Sequence, residues 1–420
     1  CDPGFFDCDG DASTGCESAS ECICTPGSQQ SCYTGPPGTQ NVGACVGGTR
    51  TCGVTGQGYG PCLGEVIPDN ELCANGIDED CSGMADDVPD LDGDGWTVCQ
   101  GDCCDSAAQG CTEPQKVNPG AYEATGNNLD DDCDPATMDA ATPTNCSMTE
   151  NLGAITGLQL AQAMDICQVT VANPPQPNKN WGLISAELVQ PNGTATAPAA
   201  IQLGVLQSFG VNMPQQNATM GAISSGTARA PNNAGYIVPN GTGFTGGAVS
   251  GWPASTPGVG AVNDGVNLRL TLRAPTNAES FSFKFKFFSA EYPEWVSSQF
   301  NDTFMALLTS GAANLPSDKN ISFDSTGGRV DVNNGFFDVC VGCPLGDAEL
   351  AGTGYTSPQM ATNDAGATGW LTTTAPIVPG ETFTIEYIIF DVADHQWDSL
   401  TLLDAFNWSV NPSMVGTTED

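Results

Sequence analysis

Between residues 266 and 408 apolar and polar side chains alternate with a period of two. Val266, Leu268, Leu270 and Leu272 form one run, and Phe281, Phe283, Phe285 and Phe287 a second. Phe383, Ile385, Tyr387 and Ile389 form a third, and Leu400, Leu402, Phe406 and Trp408 a fourth. Period two sends successive side chains to opposite faces of a strand. Strands with one wet face suit antiparallel pairing, so this pattern predicts an antiparallel β-sandwich. Upstream, Ile155, Leu158, Ala161 and Met164 recur at helical spacing. They predict one short helix over 153–166, with Cys146 and Cys167 placed to clamp it. Residues 207–264 are rich in Gly, Asn, Ser and Pro and weakly periodic, which predicts long surface loops with one or two edge strands.

Composition changes near residue 146. Of 20 cysteines, 17 lie at or before that position, together with 26 of the 49 acidic residues and only two bases, Arg50 and Lys116. A segment with so few apolar runs cannot stabilise itself by burial and needs staples. Cysteine usage this dense implies an oxidising compartment. Zinc is disfavoured because His395 is the only histidine and few cations flank the thiols. Cys1 reads either as the lipid-bearing residue of a processed lipoprotein or as half of a disulfide with a neighbour such as Cys8 or Cys16. The expected organisation is a small Cys/Asp module (1–24), a Cys-rich hairpin module (25–66), a calcium-binding acidic repeat module (67–146) and the sandwich (147–420). The fold class is thus mainly β: disulfide-rich, calcium-binding N-terminal modules with little regular structure, followed by an antiparallel β-sandwich domain with one short helix.

The net charge of −39 repels phosphate backbones and anionic membranes, and a compact state tolerates it best with bound cations. No stretch reaches the ~18 consecutive apolar residues of a membrane helix. The acids cluster in motif spacing. In Asp90-Leu91-Asp92-Gly93-Asp94-Gly95-Trp96, followed by Asp102 and Asp105, alternate carboxylates converge when the backbone curls, and glycine permits the curl. Hard oxygen donors at this density select Ca²⁺. No Glu follows at the twelfth position, so the loop is not an EF-hand; the Trp96 carbonyl, Asp102 and Asp105 are the expected remaining ligands. Asp7, Asp9 and Asp11, with Glu17, form a shorter version of the pattern.

The run from Glu71 to Gly83, the Asp90–Asp94 segment, Asn118 to Glu123 and Asp130 to Asp134 together resemble the metal-binding repeat of bacterial surface proteins typified by the MopE family. Residues 90–105 are also similar to a thrombospondin type-3 repeat. The resemblance implies that Asp78, Asp80 and Asp86, and separately Glu123, Asp130 and Asp132, are ligands, and that Cys73–Cys81 is a local staple. Glu79 and Ser82 depart from the usual Asp of the repeat, and the adjacent Cys103 and Cys104 are each expected to bridge elsewhere.

Farther on, Phe288 to Trp295 leading to Phe300-Asn301-Asp302-Thr303-Phe304, and Ile389 to Asp394 leading to Asp398-Ser399, resemble the bacterial choice-of-anchor L domain. This implies a secreted, β-rich surface module. The strand-end acids Glu291, Asp302, Asp391 and Asp398 are expected to meet at one rim as a further calcium site. Cys340-Val341-Gly342-Cys343 has no basic neighbour to lower a thiol pKa and reads as a structural disulfide. His395, between Asp394 and Asp398, lacks a matching nucleophile motif, so an enzyme is not expected. The expected function is a secreted calcium-binding structural protein of an extracellular fibre, coat or matrix that contacts copies of itself or other surface proteins. The alternative is an adhesin or carbohydrate-binding module that meets glycans through Trp295 or Trp397. A hydrolase built on Glu291 and Asp391 ranks third.

Overall fold

The structure, a computed structural model, describes residues 1–139, 146, 148–174, 180–240, 249–356 and 365–420. These form two compact units, Cys1–Ser106 and Ala107–Asp420.

The first unit has little regular structure. Strands β1 (Gln29–Cys32) and β2 (Gly48–Thr51) pair antiparallel, Gln29 opposite Thr51. Most of the remaining chain is turns stapled by Cys1–Cys16, Cys8–Cys22, Cys24–Cys52, Cys32–Cys62, Cys45–Cys81 and Cys73–Cys99. Loops of this length stabilise by about 3 to 4 kcal/mol per bridge through the unfolded state. Cys1 therefore takes the disulfide alternative, with Cys16. The implied Cys73–Cys81 staple is not formed. Ala44 donates to the Asp78 carbonyl at 2.8 Å and Gly43 lies so close to Asp78 that a Cβ would sit 2.4 Å from it. That docking buries Cys81 against Cys45 and leaves Cys73 to reach Cys99.

In the second unit the alternating runs become long strands. They are β3 (Gly182–Val189), β4 (Leu203–Leu206), β5 (Met220–Ser224), β6 (Val262–Arg273), β7 (Ser280–Ser289) and β8 (Thr303–Thr309). They continue with β9 (Val330–Asp331), β10 (Gly366–Ala367), β11 (Leu371–Pro376), β12 (Thr382–Val392), β13 (Ser399–Ser409) and β14 (Gly416–Glu419). One sheet runs β14-β11-β7-β13-β5-β4, with β10 also on β7, and the other β3-β6-β12-β8-β9. Every named strand pair is antiparallel. The core lies between the sheets, where Phe283 of β7 meets Tyr387 of β12 edge-on at 4.9 Å and Phe281 stacks on Phe383 at 5.6 Å. Each such fully buried aromatic contributes about 1.5 to 3 kcal/mol.

Helix α1 (Gly157–Ala163) is started by a Thr156/Gln159 capping box, and Cys146–Cys167 brackets it. Part of the segment expected to be loops is interior instead: residues 219–230 are all buried and β5 pairs with β13. Its small Gly, Ala and Ser side chains let the strand lie beneath α1, with Gly221 against Leu160 and Met164. Of that segment, 241–248 lie outside the described residues.

Residues 113–139 fold with the sandwich. Tyr122 and Asn277 exchange hydrogen bonds of 2.8 and 2.7 Å, Thr276 donates to the Gly120 carbonyl at 3.0 Å, and Trp181 Nε1 donates to the Ala121 carbonyl at 2.9 Å. Lys116 pairs with Glu279 at 2.9 Å.

Candidate metal centres

The loop from Asp90 curls as its spacing requires. Gly93 and Gly95 sit at φ 82° and 92°, a left-handed backbone that favours glycine. Their N–H groups donate to Asp90 Oδ1 and Oδ2 at 2.6 and 2.9 Å. Asp94 N donates to Asp92 Oδ1 and Trp96 N to Asp94 Oδ1, so Asp92 and Asp94 each fix the turn with one oxygen, whereas Asp90 uses both. Their oxygens also converge. Asp90, Asp92 and Asp94 bring ligand atoms within 4.8 Å of one another, and so do Asp92, Asp102 and Asp105. Asp92 belongs to both sets.

Asp92 Oδ2 and Asp102 Oδ2 are buried without a hydrogen-bond partner. Burial, with the charges of Asp92, Asp105 and Asp90 adding, pushes the Asp102 carboxyl up to about 6, and burial also raises Asp92. A cation among these oxygens removes that penalty. Trp96 is 1% exposed.

Two further loops repeat one another. In the first, Glu71, Asp78 and Asp80 converge within 4.8 Å; in the second, Glu123, Asp130 and Asp132 do so. Glu71 accepts from Glu79 N and Asp86 N, at 2.8 and 2.9 Å. Glu123 accepts from Asp131 N and Asp139 N in the same way. Asp86 accepts from Asn75 N and Gly76 N, just as Asp139 accepts from Gly126 N and Asn127 N. Asp86 is therefore turned to cap the loop, and Glu71 stands in the carboxylate cluster in its place. The Glu71/Asp78/Asp80 spacing, identical to Glu123/Asp130/Asp132, is the sequence signal that marks Glu71. Burial raises the carboxyls of Glu123 and Asp130.

Near the N-terminus Asp7, Asp9 and Glu17 converge within 4.8 Å. Asp11 is not part of this set; it accepts from Ser13 N and Oγ, and the Ser13 hydroxyl holds its carboxyl below the usual range.

Within the sandwich Glu291, Asp302, Asp391 and Asp398 lie at the same end of their strands and are 0–1% exposed. Asp302 N donates to Glu291 Oε2 at 3.0 Å, and Ser399 Oγ donates to Asp302 Oδ2 at 2.6 Å. Burial pushes Glu291 and Asp398 up to about 8 and raises Asp302 and Asp391 well above the usual carboxylate range. Asp264, also fully buried, joins this end and pairs with His395 Nδ1 at 2.7 Å. Cys340 and Cys343 form a disulfide.

A disulfide-stapled acidic unit and a β-sandwich, with carboxylate triads in both, define a class: a cell-surface or extracellular protein with a metal-binding motif. No helix among the described residues is long and apolar enough to cross a membrane. Residues 262–408 match the family described as the choice-of-anchor L domain. Residues 68–87 and 113–139, which contain the two repeated loops, match the MopE family described as "Putative metal-binding motif". The Asp90–Asp105 loop falls between the matched segments. No curated protein and no solved structure matches the chain.

Proposed function

We propose that the chain is a secreted calcium-binding structural protein of an extracellular fibre, coat or matrix, that it assembles with copies of itself, and that it is not an enzyme. The carrying observation is the twice-repeated loop in which a Glu and two Asp present convergent oxygens from a backbone already satisfied by internal hydrogen bonds. Donor sets made only of carboxylates are hard and suit calcium rather than a thiophilic metal. The unit Cys1–Ser106 has few buried apolar side chains, so covalent bridges, ions and partner surfaces are its natural sources of stability. Assembly is supported by the outer strands β9 and β14, each of which pairs with one strand only among the described residues.

The adhesin alternative is less favoured by its own platforms. Trp397 packs on an interior cluster, and Trp295 meets Phe300 edge-on at 5.2 Å. Electron microscopy of native material with calcium and with EGTA tests the reading: filaments or sheets that disperse in EGTA support it, and dispersed monomers in both conditions contradict assembly.

A further inference from the structure

β6, β8 and β13 begin, and β7 and β12 end, at one end of the sandwich, and there five carboxylates are shut away from water: Asp264, Glu291, Asp302, Asp391 and Asp398. His395 is paired with Asp264 at 2.7 Å. Asp302 is anchored by Ser399 Oγ, and Glu291 by Asp302 N. Asp391 and Asp398 are different. The Asp391 carboxyl lies near the Asp302 carboxyl and the Ser225 hydroxyl, yet neither of its oxygens accepts a hydrogen bond of ordinary geometry, and neither does Asp398 Oδ1. The backbone is pressed against Asp398 so closely that a Cβ on Gly226 would lie 2.1 Å from its Oδ2. Buried carboxylate oxygens left without donors are costly unless a cation or a proton takes their place.

We propose that one divalent cation of the calcium type binds inside this end of the sandwich between Asp391 and Asp398, with the Ser225 hydroxyl as a further oxygen donor. The site is built on strand ends. Asp391 follows a register shift in β12, and Asp398 immediately precedes β13. The connection between them holds Ala393 and Trp397 at φ 82° and 64°, a costly backbone for residues with a Cβ. A cation bridging the two aspartates fixes that connection and joins the sheet of β12 to the sheet of β13. This site is independent of the N-terminal triads.

The test uses the full chain. Calcium per chain is counted by elemental mass spectrometry after dialysis, and sandwich melting is followed by calorimetry in calcium and in EGTA. For Asp391→Asn, whose side chain preserves shape, the count falls by one ion and the calcium-dependent rise of the sandwich transition disappears. Asp92→Asn reduces calcium binding elsewhere but keeps that rise. An unchanged count in Asp391→Asn, or a wild-type sandwich transition indifferent to EGTA, overturns the proposal in favour of a proton shared between Asp302 and Asp391. Should the variant not fold, wild-type crystals soaked in terbium chloride decide. An anomalous peak between Asp391 and Asp398 supports the site, and peaks at the N-terminal triads alone overturn it.

Discussion

Asp92 belongs to two carboxylate triads at once, with one buried oxygen lacking a donor. Asp92→Asn is therefore expected to weaken calcium binding by the 90–105 loop at least about tenfold, roughly 1.4 kcal/mol, by titration calorimetry; Leu91→Ala, at an exposed position, should leave it unchanged. The pH response follows from Asp102, whose carboxyl is pushed up to about 6. The ion needs the charged form, so affinity should hold above that pH and fall below it. Glu71→Gln and Glu123→Gln should each remove one ion, because the two residues occupy equivalent places in the repeated loops. Alternation of Asp and Gly made the converging carboxylates of the 90–105 loop readable in the sequence. Glu71 was harder to read, since its role depends on a chain reversal that brings it back to Asp78 and Asp80, and Asp86, nearer in motif spacing, is used up as a loop cap.

Among the elements, α1 docks on β3 with no room to spare: a Cβ on Gly157 would lie 2.8 Å from the Ala186 carbonyl oxygen. Gly157→Ala should destabilise the sandwich by about 1 to 3 kcal/mol, measured by urea denaturation. In β13, at the register shift after Asp404, burial and then the nearby charge of Asp165 push the Asp404 carboxyl up to about 7 from 3.8. Between those values the native state holds a proton that the unfolded chain has released. The contribution of Asp404 to stability should thus be greatest below the lower value and decline as pH rises to the higher one, by at most on the order of 4 kcal/mol. Asp404→Asn should flatten that decline, and an unchanged slope would sink the assignment. The long strands were legible because Phe, Leu and Ile alternate on one face. β5 was not, because Met220 and Ile223, its two large apolar residues, are separated by Gly221 and Ala222 and show no period of two even though all five residues of the strand are buried.

Across the whole molecule two sources of stability divide the chain. The unit Cys1–Ser106 rests on disulfides and crowded carboxylates, whereas Ala107–Asp420 has a continuous aromatic core. Reductant together with EGTA should strip hydrogen-exchange protection from the first unit while β6, β7, β12 and β13 stay protected. The composition change falls near residue 146, whereas the two units divide between Ser106 and Ala107. The docking of residues 113–139 on Asn277 and Trp181 was not visible, because polar contacts between distant segments leave no local pattern. The −39 charge gives the proposal its physical force: carboxylates that converge repel one another unless cations sit among them. The most direct measurement is elemental mass spectrometry of native protein, before and after EGTA treatment and calcium return. Several calcium ions per chain, lost to EGTA and regained, are predicted; protein that is metal-free as purified and takes up none would contradict the account.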